Sequence, residues 1–221
     1  MSHHEILERN RQWVEQTTAK DPSFFERLAA EHKPRFLYIG CSDARVPVDV
    51  ITQTTPGEIF VHRNIANLVV PSDNNLAAVL QYAVDVLQVE SVIVCGHEGC
   101  GGVRAAMKHD GAPALVDNWL ASIRTVARLH DDELSSIADP EECYARLVEL
   151  NVMEQVYNLS RTPVIQAAWA RGSKLTVHGW VYGIGQGLLR DLDVMVCADS
   201  VTIASSGAPR AQESRRQLAA A

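Results

Sequence analysis

Four short apolar runs, 35–40 (RFLYIG), 59–62 (IFVH), 91–96 (SVIVCG) and 175–181 (LTVHGWV), are separated by segments with helical spacing. This alternation constrains the fold more than any other feature of the chain. Runs of this kind, rich in β-branched and aromatic residues, read as strands buried on both faces. Strands that alternate with helices predict an α/β fold with a mainly parallel central sheet flanked by helices. Between the second and third runs, LAAVLQYAVDVL is apolar almost all round and reads as a buried helix capped by Asn74 and Asn75. Gly101 and Gly102 open a helix that ends at Gly111. Longer helical regions fill 114–129 and 140–170, the second interrupted near Thr162-Pro163. VMVCA and SVTIA, between 194 and 204, predict an edge strand or hairpin.

Ahead of the first strand, Ile6, Trp13 and Val14 share one side of a helix, and Phe24, Phe25 and Leu28 mark a second, shorter one. Short helices must lay their apolar side on something. Two surfaces qualify: the parent body, or a partner subunit across which the segment reaches as an arm. The expected organisation is an N-terminal helical arm (1–34), a single α/β domain (35–204) and a small, polar tail (205–221), disordered or loosely docked.

Composition narrows the class. Apolar residues make up 47% of the 221 and charged residues 21%, which excludes a fibrous or mostly disordered chain. A compact body of this size buries roughly 70% of its unfolded surface. The net charge of −7 comes with no basic stripe, so no nucleic-acid partner is expected. No apolar run approaches the roughly 18 residues of a membrane span, and the opening MSHHEILERNRQWVEQ lacks the apolar stretch of a secretory signal. The five cysteines, Cys41, Cys95, Cys100, Cys143 and Cys197, make a poor disulfide framework. The expectation is a cytoplasmic protein with reduced thiols, no membrane partner, and cysteines available to a metal.

Two motifs follow predicted strands directly: Cys41-Ser42-Asp43-Ala44-Arg45 after the first, and His97-Glu98-Gly99-Cys100 at the end of the third. Ligands of open α/β sheets gather outside the carboxyl ends of strands. That rule brings Cys41, Asp43, His97 and Cys100 together. Thiolate, imidazole and carboxylate form a zinc set, and His-x-x-Cys is a chelating spacing. Other readings fit less well. Cys41 and Arg45 are separated by three residues, too few for a phosphatase or rhodanese loop. The dinucleotide fingerprint and the nucleophile elbow are absent. Two plain alternatives remain at this point: a pair of buried cysteines acting as small apolar residues, or a structural zinc site.

Longer stretches carry a resemblance. CSDARVP at 41–47, GEIFVHRNIAN at 57–67, QYAVDVL at 81–87, CGHEGCGG at 95–102, NWLASIR at 118–124, NVMEQVYNL at 151–159 and HGWVYGIGQGLLRDLDV at 178–194 resemble the β-class carbonic anhydrases, closely their bacterial branch. The resemblance implies a zinc lyase that hydrates carbon dioxide reversibly to bicarbonate and a proton, as a homodimer or homotetramer. It implies Cys41, His97 and Cys100 as permanent zinc ligands. Asp43 is then either the fourth ligand or, paired with Arg45, the gate that leaves that place to water. Hydroxide formed on the zinc attacks carbon dioxide, and since its formation expels a proton, activity should climb between about pH 7 and 9.

By strand and helix position, Phe60, Val61, Ile65, Leu80 and Tyr82 are expected to line the substrate pocket. His32 stands where many relatives have a substrate-holding glutamine, and is expected to shuttle protons or to be a solvated loop residue. One bacterial subset binds bicarbonate at a second, inhibitory site through Trp, Arg and Tyr. The matching positions are Tyr38, Arg63 and Tyr182, with Tyr38 in place of the indole. Rival functions are a non-catalytic zinc scaffold that senses bicarbonate, and hydrolysis of carbon disulfide on the same fold.

Overall fold

The computed structural model describes residues 2–108 and 112–200. The chain divides into two units, Met1–Lys33 and Pro34–Ala221. In the first, helix α1 (His3–Lys20) opens with a reciprocal cap between Ser2 and Glu5, and α2 (Phe24–Ala30) follows Pro22. Trp13, Phe24 and Phe25 meet edge to face, with ring centroids 5.0–6.5 Å apart. Neither helix buries a residue.

The second unit is built on a sheet in the order β2-β1-β3-β4-β5. Its strands are β1 (Phe36–Cys41), β2 (Ile59–Asn64), β3 (Ser91–His97), β4 (Thr176–Gly183) and β5 (Leu188–Val196). The first four run parallel and β5 pairs antiparallel with β4 at the edge. The predicted strands appear within two residues at either end. The chain leaves β1 to one side for β2 and returns to its other side for β3. The connections therefore diverge above the carboxyl ends of β1 and β3, where such sheets bind ligands.

One sheet face carries the main core. Leu37, Ile39, Val92, Val94 and Val177 pack under α9 (Pro140–Ser160), with Val148, Val152 and Val156 of that helix facing them. Two glycines let α9 approach closely: a Cβ at Gly96 would stand 2.6 Å from Val152 Cγ2, and one at Gly179 3.1 Å from Val152 Cγ1. The other face holds a smaller cluster, with Tyr38, Ile93, Cys95 and Tyr182 against Val46 and Val48, the latter opening helix α3 (Val48–Thr52).

Several elements depart from expectation for local reasons. The helix after β2, α4 (Asn74–Gln81), is capped by Asp73 rather than by Asn74 or Asn75. The Asp73 carboxylate accepts the N–H groups of Asn75 and Leu76, and an ionised cap also suits the positive helix start. A π-helical turn, Tyr82–Val86, continues it, closed by Leu87 N–H on the Tyr82 carbonyl. Region 114–129 splits into α6 (Ala114–Trp119) and α7 (Ala121–Leu129) at the fully buried Leu120, and a further helix α8 (Asp131–Ser136) precedes α9. The Gly-Gly helix is α5 (Gly101–Lys108), and α10 (Pro163–Ala170) follows the interruption at Thr162. Strand β5 starts at Leu188, before the predicted 194, because exposed Leu188, Arg190 and Asp191 hide its alternation. Gly111, the end of the predicted hairpin at 201–204 and the tail at 205–221 lie outside the described residues. Among those described, no helix is long and apolar enough to cross a membrane.

Candidate metal centre

Cys41 is the last residue of β1 and His97 the last of β3. The chain beyond Cys41 turns at once: Ser42 N–H donates to the Asn64 carbonyl at 2.9 Å, and Val46 N–H to that of Asp43 at 3.1 Å. The chain beyond His97 turns through Gly99, whose φ of +68° lies in the region glycine tolerates best. Cys100 then immediately precedes α5. Tyr144 of α9 donates its hydroxyl to the Cys100 carbonyl at 2.8 Å, fixing that corner to the main helix.

Among the described residues, Cys41, His97 and Cys100 form one buried group whose ligand atoms all lie within 4.8 Å of one another. The two sulfurs are 4.0 Å apart. Two thiolates on a tetrahedral zinc, each bonded at about 2.3 Å, would be roughly 3.8 Å apart, so the set fits that ion with little adjustment. His97 supplies the second test. Its Nδ1 lies 2.8 Å from the Glu98 carbonyl, which can only accept, so the proton sits on Nδ1. Nε2 is left as a lone pair, buried and without a hydrogen-bond partner. A buried polar atom without a partner is costly, and a metal ion would satisfy it.

Asp43 stands beside this group, not in it. Arg45 holds its carboxylate in a fork, Nε to Oδ1 at 3.0 Å and Nη2 to Oδ2 at 2.7 Å, with the Arg45 N–H also donating to Oδ1 at 2.9 Å. Oδ2 is 3.8 Å from His97 Nε2, beyond hydrogen-bond reach. The Arg45 guanidinium also donates to the Gly99 carbonyl at 3.3 Å, so it ties one loop to the other.

The electrostatics follow from these contacts. The Arg45 fork holds the Asp43 carboxyl well below the usual carboxylate range. The neighbouring Cys100 thiol, followed by His97 and the Ala66 N–H, favours the thiolate at Cys41. That thiolate and burial together push Cys100 the other way. Of these two adjacent thiols one gives up its proton readily and thereby holds the other's in place, an opposition that a divalent cation removes by taking both as thiolates. Burial works against a charged His97, while Cys41 and the Glu98 carbonyl work for it, with a net upward shift.

Other expected site residues fall in different places. Ile65 packs beside the centre: a Cβ at Gly102 would stand 3.0 Å from its Cγ2. Phe60 and Tyr82 form a tilted pair with centroids 5.8 Å apart, while Val61 and Tyr82 are largely exposed. Leu80 belongs to the main core. His32 is exposed, beyond α2 in the first unit. Tyr38 and Tyr182 are buried in the smaller cluster, and the Tyr38 hydroxyl has no hydrogen-bond partner. Arg63 reaches the centre from below, with Nε on the Cys41 carbonyl at 2.8 Å and Nη2 on that of Asp43 at 2.6 Å. Cys95 is buried, and burial pushes its thiol up to about 12, whereas Cys143 and Cys197 are only half-buried.

Motif spacing carries no sign of several supporting residues. Trp119 donates its indole N–H to the Ile65 carbonyl at 2.9 Å, and Asn64 brackets Leu68 through both of its amide atoms. Asn151 and Gln155 are buried on α9 and bonded to the chain at 66–69. Two amides four residues apart among the buried, mostly apolar residues of α9 are the available signal.

Comparison with known proteins agrees with this geometry. A family model described as carbonic anhydrase matches residues 36–189. A carbonic anhydrase of Emericella nidulans is 46% identical over 87% of this chain and 84% of its own length. One from Pseudomonas aeruginosa is 37% identical over 76% of this chain and 78% of its own. A structure from a study of two tetrameric β-carbonic anhydrases of Sordaria macrospora superposes with a TM-score of 0.83 and 39% identity, covering 88% of this chain and 98% of that one. Fungal and bacterial relatives are both present, so the similarity does not single out the bacterial branch. Proteins of this class use zinc, which the donor set fits. The chain belongs to the β-class carbonic anhydrases, the zinc lyases that interconvert carbon dioxide and bicarbonate.

Proposed function

We propose that Cys41, His97 and Cys100 hold the zinc and that Asp43 is a gate, set open by Arg45. The observation that carries this reading is the Arg45 fork: it engages both carboxylate oxygens at a place where Asp43 could otherwise become the fourth ligand. Bound there, zinc supplies the Lewis acidity that makes water a nucleophile near neutral pH. Asp43, kept ionised by Arg45, accepts a hydrogen bond from the reacting water at Oδ2 and turns its lone pair toward carbon dioxide. Phe60, Val61, Ile65 and Tyr82 offer the apolar wall that a small, uncharged substrate needs. The Asp43 carboxylate stays charged through the neutral range, so the proton that responds to rising pH is that of the water. High pH therefore favours the open arrangement. The test is stopped-flow hydration with a pH indicator, with and without chelator, beside metal analysis. One zinc per chain with chelator-sensitive hydration is expected. Stoichiometric zinc without hydration would leave a scaffold in place of an enzyme.

Three finer readings belong with this one. An anion beside Arg63 would compete with the Cys41 and Asp43 carbonyls for its guanidinium, loosen that turn and favour Asp43 on the metal. Bicarbonate held with Tyr38 and Tyr182 then acts as an inhibitor, and the unpartnered Tyr38 hydroxyl supports an acceptor there. The protein assembles as a homodimer or homotetramer, with the aromatic edge of the first unit covered by a partner subunit. Helices of 18 and 7 residues that bury nothing of their own support that assembly. Five unpaired cysteines support a reducing, cytoplasmic setting.

A further inference from the structure

The Cys41 sulfur accepts the Ala66 N–H at 3.4 Å. That contact depends on an unusual backbone. Ala66 has φ 63° and Asn67 φ 50°, two successive non-glycine residues in the left-handed region. Side chains of this kind stay there only when their surroundings hold them. The hold comes from α9. Asn151 Nδ2 donates to the Ala66 carbonyl at 3.2 Å, Gln155 Nε2 donates to Asn151 Oδ1 at 3.0 Å, and Gln155 Oε1 accepts the Val69 N–H at 2.9 Å. The order is self-consistent, because turning either amide over would set donor against donor or acceptor against acceptor. Ala66, Asn151 and Gln155 are each 1% exposed or less, so none has water as an alternative partner.

We propose that Asn151 and Gln155 are positioning residues for the metal: they clamp Ala66 in the left-handed conformation that aims its N–H at the Cys41 sulfur. The proposal rests on the reading of Cys41 as a ligand. A hydrogen bond to a thiolate draws electron density off the sulfur, weakens its donation and leaves the metal a stronger Lewis acid. The buried amide pair thus sets the character of one ligand from a different helix, through one backbone hydrogen bond.

Two measurements on the full chain test this. In the cobalt-loaded protein, Asn151→Leu and Gln155→Met should each shift the thiolate-to-cobalt charge-transfer band to lower energy. Ala66→Gly, which accepts a positive φ without a clamp, should return the band of the Asn151→Leu variant toward its original position. A folded Asn151→Leu protein with one metal per chain and an unmoved band overturns the proposal. The second measurement needs no substitution and decides the matter if those variants do not fold. With cadmium-113 in the site, scalar coupling should reach both the Cys41 β-protons and the Ala66 amide proton. Coupling to the Cys41 protons alone overturns the clamp and leaves the ligand reading standing. Coupling to neither overturns the ligand reading itself.

Discussion

The two loops that meet at the centre differ in how firmly they hold their side chains. His97 and Cys100 are each 1% exposed; the first ends a central strand, the second stands just before α5, and both are anchored through Glu98, Tyr182 and Tyr144. Beyond Cys41 the first loop is looser. The Asp43 side chain is 18% exposed and that of Arg45 58%; their ion pair holds them, with Arg45 also on the Gly99 carbonyl and Arg63 on that of Asp43. Both motifs are short and polar, yet one is built into the sheet and the other stands at its rim. A metal needs ligands that do not move, whereas a gate needs one that can. If Asp43 is the gate proposed above, its place on the looser stretch beyond Cys41 is what would let it join or leave the metal while the buried ligands stay fixed.

Substitution at the rigid loop has the largest expected effect. Cys100→Ser should remove stoichiometric zinc and reduce hydration to background, since a serine hydroxyl is a poor substitute for a thiolate. Metal analysis that still finds one zinc per chain would erase the distinction between the loops. Asp43→Ala should leave the zinc in place but lower hydration about a hundredfold, the scale expected when a positioned proton acceptor is lost. Loss of zinc in that variant would make Asp43 part of the rigid half.

A smaller effect sharpens the account of the gate. Arg45→Lys keeps the charge but not the fork. Hydration should fall about tenfold near pH 7.5 and recover toward pH 9, because losing a proton from water offsets the weaker hold on Asp43. The unaltered protein should gain activity between about pH 7 and 9. Its Asp43 carboxyl lies well below the usual range, so it is already ionised there and cannot cause the rise. A flat or descending profile would dispose of the gate. The smallest change is expected from Arg63→Ala, which should retain zinc and lessen inhibition by added bicarbonate. Inhibition constants equal to those of the parent would remove Arg63 from that role.

The strands at 36–41 and 91–97 are legible because burial on both faces writes a continuous apolar run, and those at 59–64 and 176–183 because β-branched and aromatic residues are concentrated there. Strand β5 was legible only at its end, since an edge strand mixes Leu192 and Val194 with exposed Arg190 and Asp191. The cap falls on Asp73, ahead of the expected Asn74 or Asn75, in a run of four capping types, Ser72 to Asn75, among which only the three-dimensional turn chooses. At the site, Cys41, His97 and Cys100 could be read from spacing, because each lies within a few residues of a strand end. The relation of Asp43 to Arg45 could be expected from their separation of two residues, but the state of the pair could not.

The sequence by itself determined the periodicity, the strand ends and the kinds of atom offered to a metal, all local properties carried by neighbouring residues. Only the tertiary structure decided that β1 and β3 lie side by side, that Asp43 turns to Arg45 and away from His97, and that Asn151 and Gln155 reach a segment 85 or 86 residues earlier in the chain. Hydrogen bonds and burial at such separations depend on the order of strands in the sheet. A polar residue in a helix carries no mark of its distant partner until the chain has folded around it.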